Sequence, residues 1–312
     1  MPPTHMQSSR NRLRCAEDEL KMMFRSLVVQ GAILYAGLAL LILVFFLHDL
    51  ASAQTRFEAD YVVSFARITV GNIAVTADID SAAYAISASG RVGGAIRLLA
   101  NGEGHLTTRG TITSDRPAPT NFVFKIDSTD DPVDIKMVIE DGNVTELAAL
   151  PPSGDGVPIN DAHRQGILDP LTAILIPAGD IGDGLTKEAC ERTLPVFDGR
   201  QRYDLKLAFK RLDKVTANKG YAGPVVVCSL SYRPIAGHRV STPFIKYLSE
   251  SRETEIAFAP VAGARLLAPF RLVVANLLAN LSVQANRFEA TMQASSNSNP
   301  SGPWRLRRCF NG

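Results

Sequence analysis

The residues of this chain that could do chemistry are few, and their spacing suits no familiar reaction. Between residues 54 and 290 the histidines are His105, His163 and His238, and none stands at ligand spacing from a second histidine or a cysteine. His163 lies in Asp161-Ala162-His163-Arg164 and His238 in Gly237-His238-Arg239. Both stretches read as polar turns rather than as seats for a general base. Asp198 precedes Gly199, which points to a turn before it points to catalysis. Gly102-Glu103-Gly104 supplies two glycines of a phosphate-cradling loop without the third, and there is no G-x-S-x-G elbow or H-E-x-x-H pair. The acidic clusters Asp130-Asp131 and Asp180 to Asp183 could face calcium, but neither repeats the spacing of a dedicated loop. The expectation is no catalytic residue, no metal and no cofactor. A hydrolase of envelope polymers using Asp198 or His163 is the alternative.

The cysteines carry more information. Cys15 precedes a long apolar run and Cys309 falls in a polar tail, which leaves Cys190 and Cys228 in the body. A pair inside strand-rich sequence of an exported chain is most simply a disulfide. Two buried free thiols, or a redox or metal pair, are the other readings. A bond between them would restrict the unfolded chain by roughly 4 kcal/mol on the chain-entropy account.

The elements that must position these residues alternate with period two. Phe57, Ala59, Tyr61, Val63 and Phe65 alternate with polar neighbours, and Ile68 to Val75 continues past Gly71-Asn72. A strand from Tyr84 follows, with bends or bulges expected at Ser87 to Gly90 and at Gly93-Gly94. Leu106 to Ile112, Phe122 to Ile126, and Val133 to Ile139 turning through Asp141-Gly142 into Val144 to Leu147 extend the meander. Asp169-Pro170-Leu171-Thr172 predicts one short helix, with Asp169 as cap and Pro170 at its first position. Asp198-Gly199 predicts a type I′ hairpin, after which Tyr203, Leu205, Leu207 and Phe209 alternate with charged residues. Val225 to Leu230, Thr254 to Phe258, Ala264 to Val274 and Leu277 to Val283 complete the strands.

The fold expected is all-β: a curved antiparallel meander forming a barrel, half-barrel or β-spiral over residues 54–290. At 312 residues and 46% hydrophobic composition the chain can bury a large core. Residues 54–290 are nearly balanced in charge, so net charge gives no push toward nucleic acid or anionic lipid. Residues 291–312, rich in Ser and Asn, read as a disordered tail. Ahead of the body, Ala32 to Leu47 is an apolar run preceded by Lys21 and Arg25 and followed by Ala51-Ser52-Ala53. Those are the parts of a signal peptide cleaved after Ala53, and residues 1–53 form a leader on that reading. An uncleaved N-terminal apolar helix anchored in the inner membrane is the alternative.

Asp169-Pro170-Leu171-Thr172, Cys190, Cys228 and Val196-Phe197-Asp198-Gly199-Arg200 with Tyr203 and Leu205 together carry a resemblance. The stretch 54–288 resembles an uncharacterised domain-of-unknown-function family of exported proteins in alphaproteobacteria and their relatives. The resemblance implies a periplasmic protein without known enzymatic activity. More remotely, its architecture is similar to periplasmic lipoprotein carriers and to β-spiral envelope-integrity proteins. A curved meander needs its inner face filled by side chains, a helix or a ligand. The lining candidates are Tyr61, Phe65, Phe122, Phe124, Leu205, Leu207, Phe209 and Phe258. The function expected is a non-enzymatic envelope protein that binds a lipid, a lipoprotein or a protein partner. A purely structural scaffold is the further alternative.

Overall fold

Period-two alternation runs through almost all of the described chain, and the strands follow it. The computed structural model describes residues 54–93, 103–114, 116–128, 132–152, 156–179, 185–239, 243–250, 253–275 and 279–293. The leader, Gly102, Asp130-Asp131, Asp180 to Asp183 and the tail from residue 294 lie outside the described residues. Among the described residues no helix is long and apolar enough to cross a membrane.

The strands are β1 (Gln54–Phe65), β2 (Ile68–Ile79), β3 (Ala83–Val92), β4 (Glu103–Thr113), β5 (Arg116–Asp127), β6 (Val133–Glu140) and β7 (Asn143–Leu150). They continue with β8 (Ile176–Pro177), β9 (Arg192–Phe197), β10 (Arg202–Thr216), β11 (Lys219–Gly220), β12 (Ala222–Ala236), β13 (Glu253–Pro260), β14 (Leu266–Ala275) and β15 (Leu281–Gln293). All fifteen belong to one curved, unclosed sheet, with β1 pairing β2 on one side and β15 on the other. From β2 the meander runs outward in chain order to β7; from β15 it runs back through β14, β13, β12 and β10 to β9. Pairing is antiparallel except for β11, which lies parallel to β15. Among the described residues two short α-helices accompany the sheet, α1 (Pro170–Ala173) and α2 (Pro243–Glu250).

Several local expectations are corrected. α2 is a second helix where one was expected. The Ser87 to Gly90 stretch carries no bulge, since β3 pairs both neighbours without a register shift. The shifts fall instead at Asp60/Tyr61, Val63/Ser64, Arg109/Gly110, Val138/Ile139, Arg202/Tyr203, Phe209/Arg211 and Ala257/Phe258. There an extra residue bends one strand, which is how such a sheet curves. Asp141-Gly142 does form the two-residue turn, with φ of 49° and 76°. Asp198 does not: only Gly199 has positive φ, and Asp198 Oδ1 accepts from the backbone N–H groups of Arg200 and Gln201 at 2.8 and 2.6 Å. A side-chain oxygen that mimics a backbone acceptor closes this turn, so the left-handed pair is not needed. The β1–β2 turn uses Ala66 and Arg67 at φ of 51° and 69° with no glycine or asparagine. That conformation costs about 1 kcal/mol per residue. β15 also continues to Gln293, three residues past the expected end of the domain.

The concave face is filled. Phe57, Tyr61, Tyr84, Phe270 and Phe288 interdigitate with Ala59, Ala77, Ala88, Ala257, Ala259, Ala268 and Ala285. Phe57 and Phe288 meet edge-on at 4.8 Å. Large beside small is what lets two curved layers interlock without voids. Leu171 and Leu175, from α1 and the residues after it, complete this cluster as a plug. The plug is fixed by a buried polar chain. Asp169 Oδ1 accepts from the N–H groups of Leu171 and Thr172 at 2.9 and 3.1 Å. Its Oδ2 accepts from Thr108 Oγ1 at 2.9 Å and from Thr172 Oγ1, which in turn meets the Tyr84 hydroxyl at 2.6 Å. Gly110 makes room for that tyrosine: a Cβ there would stand 2.5 Å from its hydroxyl and collide with Ala118 O.

The two margins of the sheet are joined by a short segment instead of a ladder. Ile167 N donates to Gly142 O at 2.8 Å and Leu168 N to Pro195 O at 2.7 Å, while Phe197 N donates to Leu168 O at 3.0 Å. Ile167 and Phe197 pack there with Phe122, Ile135, Met137 and Ile139.

Candidate functional site

β12 is buried on both faces, and the face opposite the Phe57–Phe288 cluster carries the site. Val225 and Val227 enter the concave core; Val226 and Cys228 join Ile176, Ala189, Cys190, Leu207, Ile256, Phe258 and Leu267 behind it. The disulfide between Cys190 and Cys228 ties the residues before β9 to this strand.

Beside the disulfide the cover is incomplete, and a cleft of about 260 Å³ opens. Strand register builds its wall. Leu194 pairs with Leu205, Leu205 with Tyr232, Leu207 with Leu230, Ile256 with Leu272, and Thr254 with Val274. Side chains of paired residues share a face, so these form one apolar surface across five strands. Phe258, Ala173 and Ile174 close one side, and Leu248 of α2 closes another. α2 is fastened by its Tyr247 hydroxyl, placed 3.1 Å from both Val274 O and Ala279 O, and by buried Ile245. Its sequence presents apolar residues at helical spacing while Lys246 and Glu250 stay exposed.

The cleft has one polar corner. Tyr203 and Tyr232 lie with ring centroids 5.2 Å apart. Burial raises the Tyr203 hydroxyl well above the usual tyrosine range and pushes Tyr232 up to about 12, and the nearby Asp198 carboxylate adds to both. Both phenols are therefore neutral donors at physiological pH. Burial also raises the Asp198 and Asp169 carboxyls, against the hydrogen bonds each accepts. Among the described residues no carboxylate, histidine, lysine or arginine lines the cleft. Such a wall can hold an apolar chain.

The lining candidates separate. Leu205, Leu207 and Phe258 line the cleft. Tyr61 lies in the concave core with its hydroxyl donating to Pro269 O at 2.7 Å. Phe122 and Phe124 belong to the cluster at the joined margins. Phe209 is 41% exposed beside a bulge, and Phe65 stands exposed at the end of β1. Leu194, Leu230, Tyr232, Ile256, Leu272 and Leu248 belong to the site and were not singled out. Leu230 and Tyr232 share the parity of Cys228, which was the available signal.

The chemical candidates are engaged elsewhere. His163 accepts at Nδ1 from Asn160 N at 3.1 Å while its own N–H reaches Asn160 Oδ1, a reciprocal cap. His105 lies on β4, 3.6 Å from Glu103. His238 is buried, and its Nδ1 has no partner among the described residues. Among the described residues no three His, Cys, Asp or Glu side chains gather around a common point. Two further concavities are open and polar, one near Asp60, Asn72, Arg91 and Glu103, the other near Asp78, Ser87, Arg109 and Asn121.

A family model described as a protein of unknown function, DUF3108, matches residues 60–276, a stretch that holds the plug, the disulfide and the cleft. No curated protein matches the chain. Among solved structures, the crystal structure of a beta-barrel-like protein of domain of unknown function DUF1849 from Brucella abortus is similar, at 10% identity and a TM-score of 0.43. The likeness covers 77% of this chain and 98% of that one.

Proposed function

The chain belongs to the DUF3108 family, and from that premise we propose that it is a non-enzymatic protein of the periplasmic cell envelope that holds one acyl chain of a lipid or lipoprotein in the cleft beneath α2. The observation that carries this reading is the cleft wall, apolar across five strands and, among the described residues, free of ionisable groups other than two neutral tyrosines. Its size sets the cargo. At roughly 30 Å³ for each small group of a condensed liquid, a 260 Å³ cleft takes about nine methylenes. That is one chain, below the ~300–1,000 Å³ that encloses a whole drug-sized ligand. At about 0.8 kcal/mol per buried methylene, nine contribute about 7 kcal/mol before the cost of ordering the chain. The Cys190–Cys228 bond supports an oxidising compartment, as the apolar leader would require.

Native mass spectrometry of the protein purified from its own envelope tests the reading, beside a Leu272→Trp variant that fills the cleft. The wild type should carry a mass equal to an acylated lipid or peptide, and the variant should lack it. A wild-type protein that is empty and also fails to retain a fluorescent fatty-acyl probe refutes the reading.

A further inference from the structure

The β1–β2 turn is an exposed apolar tip held in a strained backbone. Phe65 is 44% and Ile68 62% exposed, and between them Ala66 and Arg67 take the left-handed conformation that glycine usually supplies. The fold meets the same geometric need with Asp141-Gly142 at the β6–β7 turn. Arg67 is exposed and enters no ion pair among the described residues. The tip also adjoins the cleft's cover. Ala66 N donates to Asn280 O at 3.0 Å, and the carbonyl of the preceding Ala279 accepts from Tyr247, whose neighbour Leu248 lines the cleft.

We propose that this turn docks the protein on a phospholipid bilayer, with Phe65 and Ile68 entering the acyl region and Arg67 meeting lipid phosphates. Two apolar side chains around one cation match the layered chemistry of that interface, where an arginine keeps its head at the phosphates while its stem lies in hydrocarbon. The alternative of a protein partner needs about 800 Å² on each side, far more than a two-residue tip offers. Local arrangement, not net charge, makes the case. The docking is independent of any occupant of the cleft, although it would set the entrance beside the lipid.

The test uses the full chain with Ile68→Trp in a Trp304→Phe background, so that one indole reports the tip. Vesicles of phosphatidylethanolamine and phosphatidylglycerol carry brominated acyl chains as quenchers. Position 68 pairs with Phe65 at the end of β1 that lies about 36 Å along the strand from Gln54, so quenching there reports the tip. Emission should shift to the blue and fall on vesicle addition. Phe65→Ser should weaken partition on the order of tenfold and Arg67→Glu roughly fivefold, with thermal unfolding unchanged. Emission that ignores the vesicles overturns the proposal, as does quenching undiminished in the Phe65→Ser, Arg67→Glu double variant. Phe65→Ser should leave the acyl mass in the cleft unchanged, so failure of the docking and failure of the cleft reading are told apart.

Discussion

Replacing Asp169 by alanine removes a carboxylate that is 0% exposed and accepts from two backbone N–H groups and two threonine hydroxyls. Loss of the helix cap costs about 1 kcal/mol. The hydroxyls of Thr108 and Thr172 are then left in a dry site, at roughly 1–3 kcal/mol each. Thr108 keeps Asn121 O at 3.0 Å and Thr172 keeps Tyr84, which holds their share near the low end. The expected total is about 3–4 kcal/mol, read as the shift of a urea unfolding curve. Asp169→Asn keeps the Oδ1 cap and should cost about 1 kcal/mol. Charge adds a pH dependence. Thr108 has one proton and two acceptors in reach, Asn121 O and Asp169 Oδ2; a protonated Asp169 supplies the missing one. Burial raises the carboxyl in the folded state. The proton is therefore held more tightly folded than unfolded. Its stabilisation is complete below the unfolded value, about pH 4, and is lost as pH rises through the folded value. Wild type should gain on Asp169→Asn between about pH 7.5 and about pH 4. A loss under about 1 kcal/mol for alanine, or parallel pH curves for wild type and Asp169→Asn, would refute the reasoning.

Gly110→Ala should destabilise by roughly 2–3 kcal/mol, because a methyl there strikes Ala118 O and the Tyr84 hydroxyl; a thermal melt within a degree or so of wild type would show that β4 yields freely. Reducing the Cys190–Cys228 bond, which spans 38 residues, should lower the urea midpoint by an amount equal to about 4 kcal/mol, and coincident curves with and without reductant would contradict the assignment.

How much of this was legible in the sequence depended on the scale of the signal. Alternation along β1 and β10 declared their faces, because a half-buried strand must separate apolar from polar every second residue. Asp169-Pro170 declared α1, since a cap and a fixed φ act within one turn. What stayed hidden is set by partners far away in the chain. Phe65, Phe209 and Leu207 look alike in sequence, yet only Leu207 is covered, and the cover comes from α2 and the residues before β9. Gly110 reads as an ordinary weak strand residue until Tyr84 arrives beside it. Ala66-Arg67 has none of the residues that normally mark a left-handed turn. α2 leaves only a faint trace: Phe244, Ile245, Tyr247 and Leu248 have helical spacing, but eight residues make a weak periodic signal.

The cleft follows from how this sheet buries its two faces. A strand such as β12, with Val225 and Val227 on one side and Val226 and Cys228 on the other, must be covered twice. The chain meets that demand with one excursion between β7 and β9: α1 plugs the concave face, and the residues that follow cross to the other, where Cys190 anchors them. One excursion cannot cover five strands. The uncovered remainder is the strip from Leu194 to Val274, and α2 spans only part of it. The wall keeps its apolar character through five strands in register, while its three covers are each fixed by a separate device: the Asp169 cap, the disulfide and the Tyr247 hydroxyl. Elements that border a packing defect tend to relax into it; fixing each cover separately is what the acyl site proposed above would require.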